Sequence, residues 1–583
     1  MGVMERSSRD TGGTTLGYFS KALTAALLLF LKTASAFGAT WYVAPDGNDS
    51  NGGSLGSPFL TITRAQSAAS SGDTVYLRGG TYFPDNSNIT ATNSPWCIVN
   101  NITKSGISYL AYPGEDPVFN FANVKPSGFR VTAFLVNASD CVFQGFDVVG
   151  VQVTIAGTHT QSECFRITGG NHNTFEQLSM HDGMANGWYL TGGSNNLVLN
   201  CDAYNNAGLD SGSLGNTDGF GCHPSKGGKG NVFRGCRAWF NSDDGFDCIN
   251  AADSVTFDHC WSFFNGYYTN FTSTGGDANG FKVGGWGCSG ATPPNPVPVH
   301  TVTFCLSARN RSHGFYANHQ PGQAANWYNN TSYNNVSSDF DMLEGTDTSS
   351  NCSVAGTREV MHNNLAYAGT RTADLNESGS IVSNNSWTLP VTVNDADFGS
   401  VDATQMTQSR KTDGSLPDIA FMHLVSGSDL IDAGTNLGFA FNGSAPDLGA
   451  FESLTPFQAW QTNYFGSTNN PAAAAAADPD GDGQSNLAEF LAGTDPTNSL
   501  SGLRILSIYP QSNDLVIVWA TAGGRTNAVQ ASVGDSSGGY STNFTDVSGL
   551  ISILGSGGTT TNYVDVGGAT NTPSRYYRIR LAL

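Results

Sequence analysis

One short phrase, repeated with changes, constrains this chain more than any other feature. It reads Thr217-Asp218-Gly219-Phe220, then Asp243-Asp244-Gly245-Phe246-Asp247, then Ala278-Asn279-Gly280-Phe281-Lys282. In the same register stand Asn186-Gly187-Trp188 before it, and His313-Gly314-Phe315 and Ser338-Asp339-Phe340 after it. The frame is a structural repeat, and the charged residues are its exceptions. A second column keeps the register: Cys201, Cys236, Cys260, Cys305, Asn330 and Asn364 each follow a short apolar run, at spacings of 35, 24, 45, 25 and 34 residues. Five residues beyond the first five stand Asn206, Asn241, Asn265, Asn310 and Asn335. A unit this short, made of period-2 strands and turn residues, implies an all-β solenoid of stacked coils. No coil buries its own apolar face, so neighbours must stack into one core, and the aligned asparagines form a ladder.

That geometry converts register into distance. Adjacent coils lie about 4.8 Å apart, which sets Asp218 and Asp244 in one column and Asp247 and Lys282 in another. With Asp243 beside Asp244, four carboxylates and one ammonium converge on a single patch of wall. Such a cluster repels itself unless it holds a cation, and hard oxygen ligands without His or Cys partners suit Ca²⁺. The competing expectation is that these aspartates cap turns. A divalent ion one coil away disfavours the ammonium form of Lys282, as does partial desolvation, and makes it a candidate general base. The alternative is a surface lysine paired with Asp247.

Several features bound the function. The net charge of −21 disfavours nucleic acid and anionic membranes, and would repel a polyanion unless a cation intervened. Lys21, the apolar run Ala22 to Leu31 and Ala34-Ser35-Ala36 follow the order of a secretory signal, too short to span a bilayer. Export with cleavage near Ala36 is expected, giving a secreted protein. Of 11 cysteines, most fall in repeat columns and read as small inward-facing residues, not as a disulfide framework.

The expected organisation is a signal peptide at 1–36, an N-terminal cap and first coils at 37–90, and the solenoid at 91–453. Within the solenoid, Val391 to Ser453 closes the C-terminal end. A linker follows at 454–500, then a small β-sandwich-like domain at 501–583. The linker carries Asp478-Pro479-Asp480-Gly481-Asp482-Gly483-Gln484-Ser485-Asn486-Leu487-Ala488-Glu489. Asp478, Asp480 and Asp482 at loop positions 1, 3 and 5, Gly at 6, Gln484 at 7 and Glu489 at 12 match a loop that wraps calcium. It resembles dockerin and thrombospondin type 3 loops and is expected to stiffen the junction; an acidic solvated turn is the alternative.

A cation beside a basic lysine suits one reaction. A uronate carboxylate bound by Ca²⁺ has a more acidic C5 proton, Lys282 removes it, and the glycosidic oxygen at C4 leaves by β-elimination. The run from Asn231 through Arg234, Cys236, Trp239 and Asn241 to Asp243-Asp244-Gly245-Phe246-Asp247, with Asp218-Gly219-Phe220 before it and Asn279-Gly280-Phe281-Lys282 after it, resembles polysaccharide lyase family 9. These are calcium-dependent pectate lyases on a right-handed parallel β-helix. The resemblance, close over Gly170 to Asn335, implies calcium ligands at Asp218, Asp243, Asp244 and Asp247, a catalytic base at Lys282, pectate as substrate and an endo-acting lyase.

This chain departs from the family in having His223-Pro224-Ser225 where a cation is expected, and an insert from Cys288 to His300 beside the cleft. Arg309, Arg311, His313 and His319 crowd the next coil and, with His223, are candidates to bind uronate carboxylates. Three alternatives stay open: a lyase for another acidic polysaccharide, a glycoside hydrolase on the same solenoid, and a noncatalytic carbohydrate-binding solenoid with structural calcium. The expected partner is an acidic polysaccharide, with no nucleic acid, no membrane span and a monomeric state.

Overall fold

The computed structural model describes residues 38–155, 157, 161–208, 216–269, 276, 278–286, 294–318, 323–342, 358–375, 377–468, 470–570 and 574–582. The expected export signal lies outside these residues. The described chain divides after Glu452 into two compact units.

In the first unit three long sheets of 12, 10 and 11 strands run side by side, built from strands that successive coils contribute in turn. One coil comprises Asn231–Arg234, Arg237–Trp239 and Phe246–Asp247, and the next comprises Val255–Asp258, Trp261–Phe263 and Phe281–Lys282. All three strands pair in parallel with their successors, so this is the parallel β-helix that the repeat implies. Short strands suffice because each is hydrogen-bonded on both sides. The coil turns its corners on residues in the left-handed region: Asn200, His259 and Phe304 at one, Asn205, Phe240, Phe264 and Arg309 at the next, all with φ between 52° and 56°. Non-glycine residues are rare there, and stacking against the same corner above and below holds them in place.

The interior is ordered in columns. Phe220, Phe246, Phe281, Phe315 and Phe340 stack with centroids 4.8 to 5.0 Å apart. Their glycines have no room for a side chain, since a Cβ at Gly280 would lie 2.5 Å from the carbonyl oxygen of Gly314. Asn206, Asn241, Asn265, Asn310 and Asn335 form the expected ladder, each Nδ2 donating to the next Oδ1 at 3.0 to 3.1 Å. A second ladder joins Asn173, Asn196 and Asn231, and a third Asn330, Asn364 and Asn385. All are buried, and a buried amide is tolerated only when its hydrogen bonds are made. All nine described cysteines are free and buried, in keeping with their reading as inward-facing residues.

The N-terminal end is closed by the helix Ile62–Ala68, whose Gln66 donates to the Asn101 carbonyl and accepts from the Thr103 amide. At the other end the chain does more than close the last coil. Residues 391–451 run back along the outer face of the second sheet, and their Phe398, Met406, Phe421 and Leu430 pack on Trp239, Trp261, Phe263 and Leu306. Arg410 fastens this strap from 208 residues away by reaching Asp202 at 2.6 Å. Asp202 also receives a two-pronged contact from Arg237 at 2.9 and 2.7 Å, and Arg237 donates onward to the carbonyls of Met406 and Gln408. Arg237 is thus a clamp for the strap.

The second unit holds the helices Pro456–Phe465 and Asn486–Ala492 and two antiparallel sheets, one of Arg504–Gln511, Asp514–Ala522 and Gly558–Asp565, the other centred on Thr526–Val533. Ile517, Trp519 and Val529 form their core.

Removing Asp202 strands two arginines in a largely buried site. Asp202→Ala is expected to destabilise the first unit by about 3–5 kcal/mol, read as a lower midpoint in denaturant unfolding. Loss below about 1 kcal/mol would show that the strap is held by its apolar contacts alone.

Candidate active site

Strand alternation sets what the third sheet presents. The phenylalanines of the repeated phrase point inward, so the residue after each points outward. Along the sheet these are Tyr189, Gly221, Asp247, Lys282, Tyr316 and Asp341, paired in register. Two residues before each phenylalanine runs a parallel polar column of Asn186, Asp218, Asp244, Asn279, His313 and Ser338. Asp247 and Lys282 are direct register partners, and Asp218 and Asp244 share the neighbouring column, both as the sequence implied.

Side chains close the patch. Lys282 Nζ lies 3.0 Å from Asp244 Oδ2 and 3.5 Å from Asp247 Oδ2, with 18% of its side chain exposed. Asp218, Asp244 and Asp247 each offer a carboxylate oxygen within 4.8 Å of the others. Asp243 lies outside that trio, its Oδ2 accepting the Asn216 amide, yet among the neighbouring charges it acts most strongly on Asp218. All four aspartates are buried. Two residues of the polar column and one backbone amide hold three of them in place: Asn186 Nδ2 donates to Asp218 Oδ2 at 3.3 Å, Asn279 Nδ2 to Asp244 Oδ1 at 2.8 Å, and the Ile249 amide to Asp247 Oδ1 at 2.6 Å. These donors, Asn186 and Asn279, were visible in the sequence only as members of the repeated frame.

The electrostatics follow from this crowding. Burial, and then the charges of Asp243, Asp247 and Asp244, push the Asp218 carboxyl well above the usual carboxylate range. Burial drives the Lys282 ammonium toward neutrality, but Asp244, Asp247, Asp243 and Asp218 outweigh it and hold its pKa well above the ordinary lysine value. The four carboxylates are the charges that act on the amine here, whereas the lowering expected from the sequence belongs to the site with a divalent ion bound. Only a cation among the carboxylates restores the expected direction. The donor set fits one: a buried trio of hard oxygen ligands within reach of a single ion, without thiolate or imidazole, suits Ca²⁺.

The other candidates divide. His223 hydrogen-bonds through Nδ1 with the Ile249 carbonyl at 2.8 Å and packs on Tyr189 at 4.9 Å. Its Nε2 covers Gly221, where a Cβ would lie 3.0 Å away, which sets it one position from Asp247. His313 lies in the polar column one coil beyond Asn279, its Nδ1 2.6 Å from Ser338 Oγ and 3.2 Å from Asp341 Oδ2, its ring stacked on Tyr316. Arg311 is turned to the Gly276 carbonyl at 2.6 Å. Arg309 occupies a left-handed corner and lies over Phe264, in a column apart from the patch; the corner geometry, invisible in a run of polar residues, carries it away. His319 lies outside the described residues. Arg166, which packs over Tyr189, extends the same face and was not singled out from sequence, since it precedes the repeated phrase.

The loop at Asp478 to Glu489 is wound about its own carboxylates. Asp478 accepts the amides of Gly481, Asp482 and Gly483, and Asp478, Asp480 and Asp482 bring oxygens within 4.8 Å of one another. Burial, with the nearby charges of Asp480, Asp482 and Asp478, lifts the Glu489 carboxyl to about 7.

Comparison with known proteins agrees with this fold. The family model described as Pel9A-like, right handed beta helix region matches residues 41–364. The chain is 34% identical over 420 residues to pectate lyase L of Dickeya chrysanthemi, covering 71% of this chain and 90% of that protein. It is 29% identical to pectate lyase PEL9 of Emericella nidulans, covering 67% and 93%. Among solved structures, a rhamnogalacturonan lyase aligns with a TM-score of 0.62 at 41% identity, covering 67% of this chain and 97% of that one. Pectate lyase Pel9A aligns with a TM-score of 0.56 at 31% identity, covering 71% and 96%.

The fold, the acidic wall patch with its single lysine and these likenesses together define a polysaccharide lyase built on a parallel β-helix. Within that class the chain belongs to the Pel9A-like, right-handed β-helix family, the family 9 pectate-lyase group that its repeated phrase resembles.

Proposed function

We propose that this protein is an exported, calcium-dependent lyase that cleaves pectate by β-elimination. The observation that carries the reading is the position of Lys282: register-paired with Asp247, facing outward, and within 3.0 Å of the buried Asp244. Asp218, Asp244 and Asp247, with Asp243 beside them, hold the cation. Bound Ca²⁺ would supply neutralisation of the uronate carboxylate and stabilise negative charge developing beside it.

Lys282, once neutral, takes the proton from C5 of the uronate. The C5–H electron pair forms the C4–C5 double bond as the C4–O bond breaks, and the departing oxygen is protonated to leave a new hydroxyl on the leaving chain. One product therefore carries an unsaturated uronate at its non-reducing end. Asn186 and Asn279 orient the carboxylates, and Arg166, held by Glu163 and packed over Tyr189 on the same face, is the residue we assign to meet substrate on one side of the base.

A second reading changes only the substrate. The 41% identity to a rhamnogalacturonan lyase favours a glycan whose uronates alternate with a neutral sugar. Groove chemistry agrees in part, since Tyr316 and Asp341 follow Lys282 on the next two coils, where a row of cations would suit consecutive uronates.

Incubation with polygalacturonate and with rhamnogalacturonan, followed by ultraviolet absorbance of unsaturated ends, separates the two. Product from polygalacturonate supports the main reading, and product only from rhamnogalacturonan replaces it with the second. Lys282→Ala is expected to lower kcat by about 10²–10⁴-fold with calcium binding retained. Retained activity in that variant removes the lysine from the reaction.

The pH response has a defined sign. Catalysis needs the neutral amine, whose pKa the carboxylates raise and the cation lowers, so the rate rises with pH and its inflection moves to lower pH as calcium is increased. A profile that falls with rising pH, or one indifferent to calcium, contradicts this assignment. Chelation with EDTA is expected to abolish activity, and calcium to restore it.

A further inference from the structure

The first sheet carries a cleft that the catalytic patch, on the third, does not use. Its floor is the outer face of three successive coils. Phe257 and Val302 are buried in the core, so their strand neighbours face outward. Thr256, Thr301 and Asn326 stand there in register, one per coil, with Asp258, Thr303 and Tyr328 in register beside them. One wall is aromatic. His259 and Phe304 stack at a left-handed corner with centroids 4.9 Å apart, and Phe439 of the strap meets Phe304 edge-on at 5.1 Å and Tyr328 at 6.4 Å. The strap buries Phe398 and Phe421 but leaves Phe439 39% exposed. Phe451, stacked on His423 at 3.9 Å, and Glu452 line the cleft as well. The space they enclose is about 770 Å³, the size of a small-molecule site.

The chemistry of this lining selects its occupant. Thr256, Thr301 and Asn326 are half-buried and offer neutral donors and acceptors at about 4.8 Å intervals, and among the described residues no protein group takes up their side chains. The charged groups are acidic and already engaged: Asp258 accepts from Arg234 at 2.7 Å and lies 2.5 Å from His259 Nδ1, and Glu452 accepts the amides of Asn442 and Asp447. Burial lowers the His423 imidazole to about 4, so it is neutral. Among the described residues no lysine or arginine lines the cleft. A uronate would meet two carboxylates and no cation to offset them. A neutral pyranose suits the lining, because it presents a face of C–H groups to an aromatic ring and a rim of hydroxyls to threonine and amide groups.

We propose that this cleft is a second saccharide site that takes a neutral oligosaccharide stretch, with Phe439 and Tyr328 against sugar faces and Thr256, Thr301 and Asn326 bonding the hydroxyls. The polar column runs along the coil axis, so it addresses successive sugars of one chain. Such a site holds the neutral part of a glycan while the patch on the third sheet acts on the acidic part. The proposal rests on the polysaccharide-lyase class alone, not on which uronate is cut or on the role of Lys282.

The test is titration calorimetry of the full chain with tetrasaccharides of galactan, xylan and mannan, and with trigalacturonate as the acidic comparison, each in chelator and in calcium. Saturable binding of at least one neutral tetrasaccharide is expected, equal in chelator and calcium and unchanged in Lys282→Ala. Phe439→Ala is expected to raise that Kd about tenfold and Asn326→Ala about three- to tenfold, with the release of unsaturated uronate ends unaltered. Phe439→Trp, which keeps a ring at the position, is expected to restore binding, and this separates a sugar platform from a mere loosening of the strap. Absence of binding by all three neutral probes overturns the proposal, as does binding that persists in both alanine variants. Trigalacturonate bound in chelator and released by Phe439→Ala overturns the neutral assignment. A dimer in sedimentation velocity that Phe439→Ala disperses gives the face to a second copy instead. Loss of the β-elimination reading would leave all these titrations unchanged, so the two stand or fall separately.

Discussion

Everything in the first unit depends on one interaction, the in-register parallel pairing of each coil with the next. Pairing at about 4.8 Å puts like on like, and like on like is favourable only for certain residues. Phenylalanines stack, as from Phe220 to Phe340, and asparagines donate and accept along a ladder, as from Asn206 to Asn335. Charged residues are the ones that in-register stacking penalises. A column that sets Asp244 after Asp218, with Asp247 alongside, therefore runs against the economy of the rest of the wall. A fold that stacks identical groups at no cost elsewhere concentrates an unstable group of carboxylates at one point, and that point is where Lys282 stands.

The same regularity explains what the sequence disclosed. An inward phenylalanine every coil fixes the facing of the residue after it, and a slip of one position would turn Asp247 and Lys282 into the core. Their adjacency was readable for that reason, as were the first asparagine ladder and the buried cysteines. What escaped detection has no periodic signature. Asn186 and Asn279 look like any other member of the frame until their amides are seen donating to Asp218 and Asp244. Arg309 and Arg311 are neighbours in the chain, yet the left-handed corner at Arg309 sends one to Phe264 and leaves the other at Gly276. The strap over the second sheet hangs on an ion pair between Asp202 and Arg410, which no local pattern announces.

Lys282 shows that register fixes position but leaves protonation to the charges around it. Position made it a candidate base, but position also surrounds it with carboxylates that favour its charged form. The two facts are reconciled if the aspartates serve the cation first and the lysine second. A divalent charge drawn into the trio offsets the repulsion that raises the Asp218 carboxyl, and by the same Coulomb effect lowers the proton affinity of an amine 3.0 Å from Asp244. On the proposed reading the carboxylates perform two tasks at once, holding the ion and setting the lysine's protonation state through it.

The two acidic clusters among the described residues differ in the stiffness of what carries them. The wall aspartates sit on strands paired above and below, so their separation is set by the coil before any ion arrives, and an ion binding there does little to the fold. The loop from Asp478 to Glu489 is held by turns at Gly481 and Gly483 and joined to a seven-residue helix. Its donors share no rigid frame, so an ion bound there would order the backbone that presents it. In physical terms the wall suits a site whose geometry must not change during turnover, whereas the loop suits a site whose purpose is to change the stability of its surroundings. Identical side-chain chemistry, mounted on a stacked sheet in one case and a glycine-rich turn in the other, thus gives one cluster a geometry fixed by its neighbours and leaves the other dependent on its own turns.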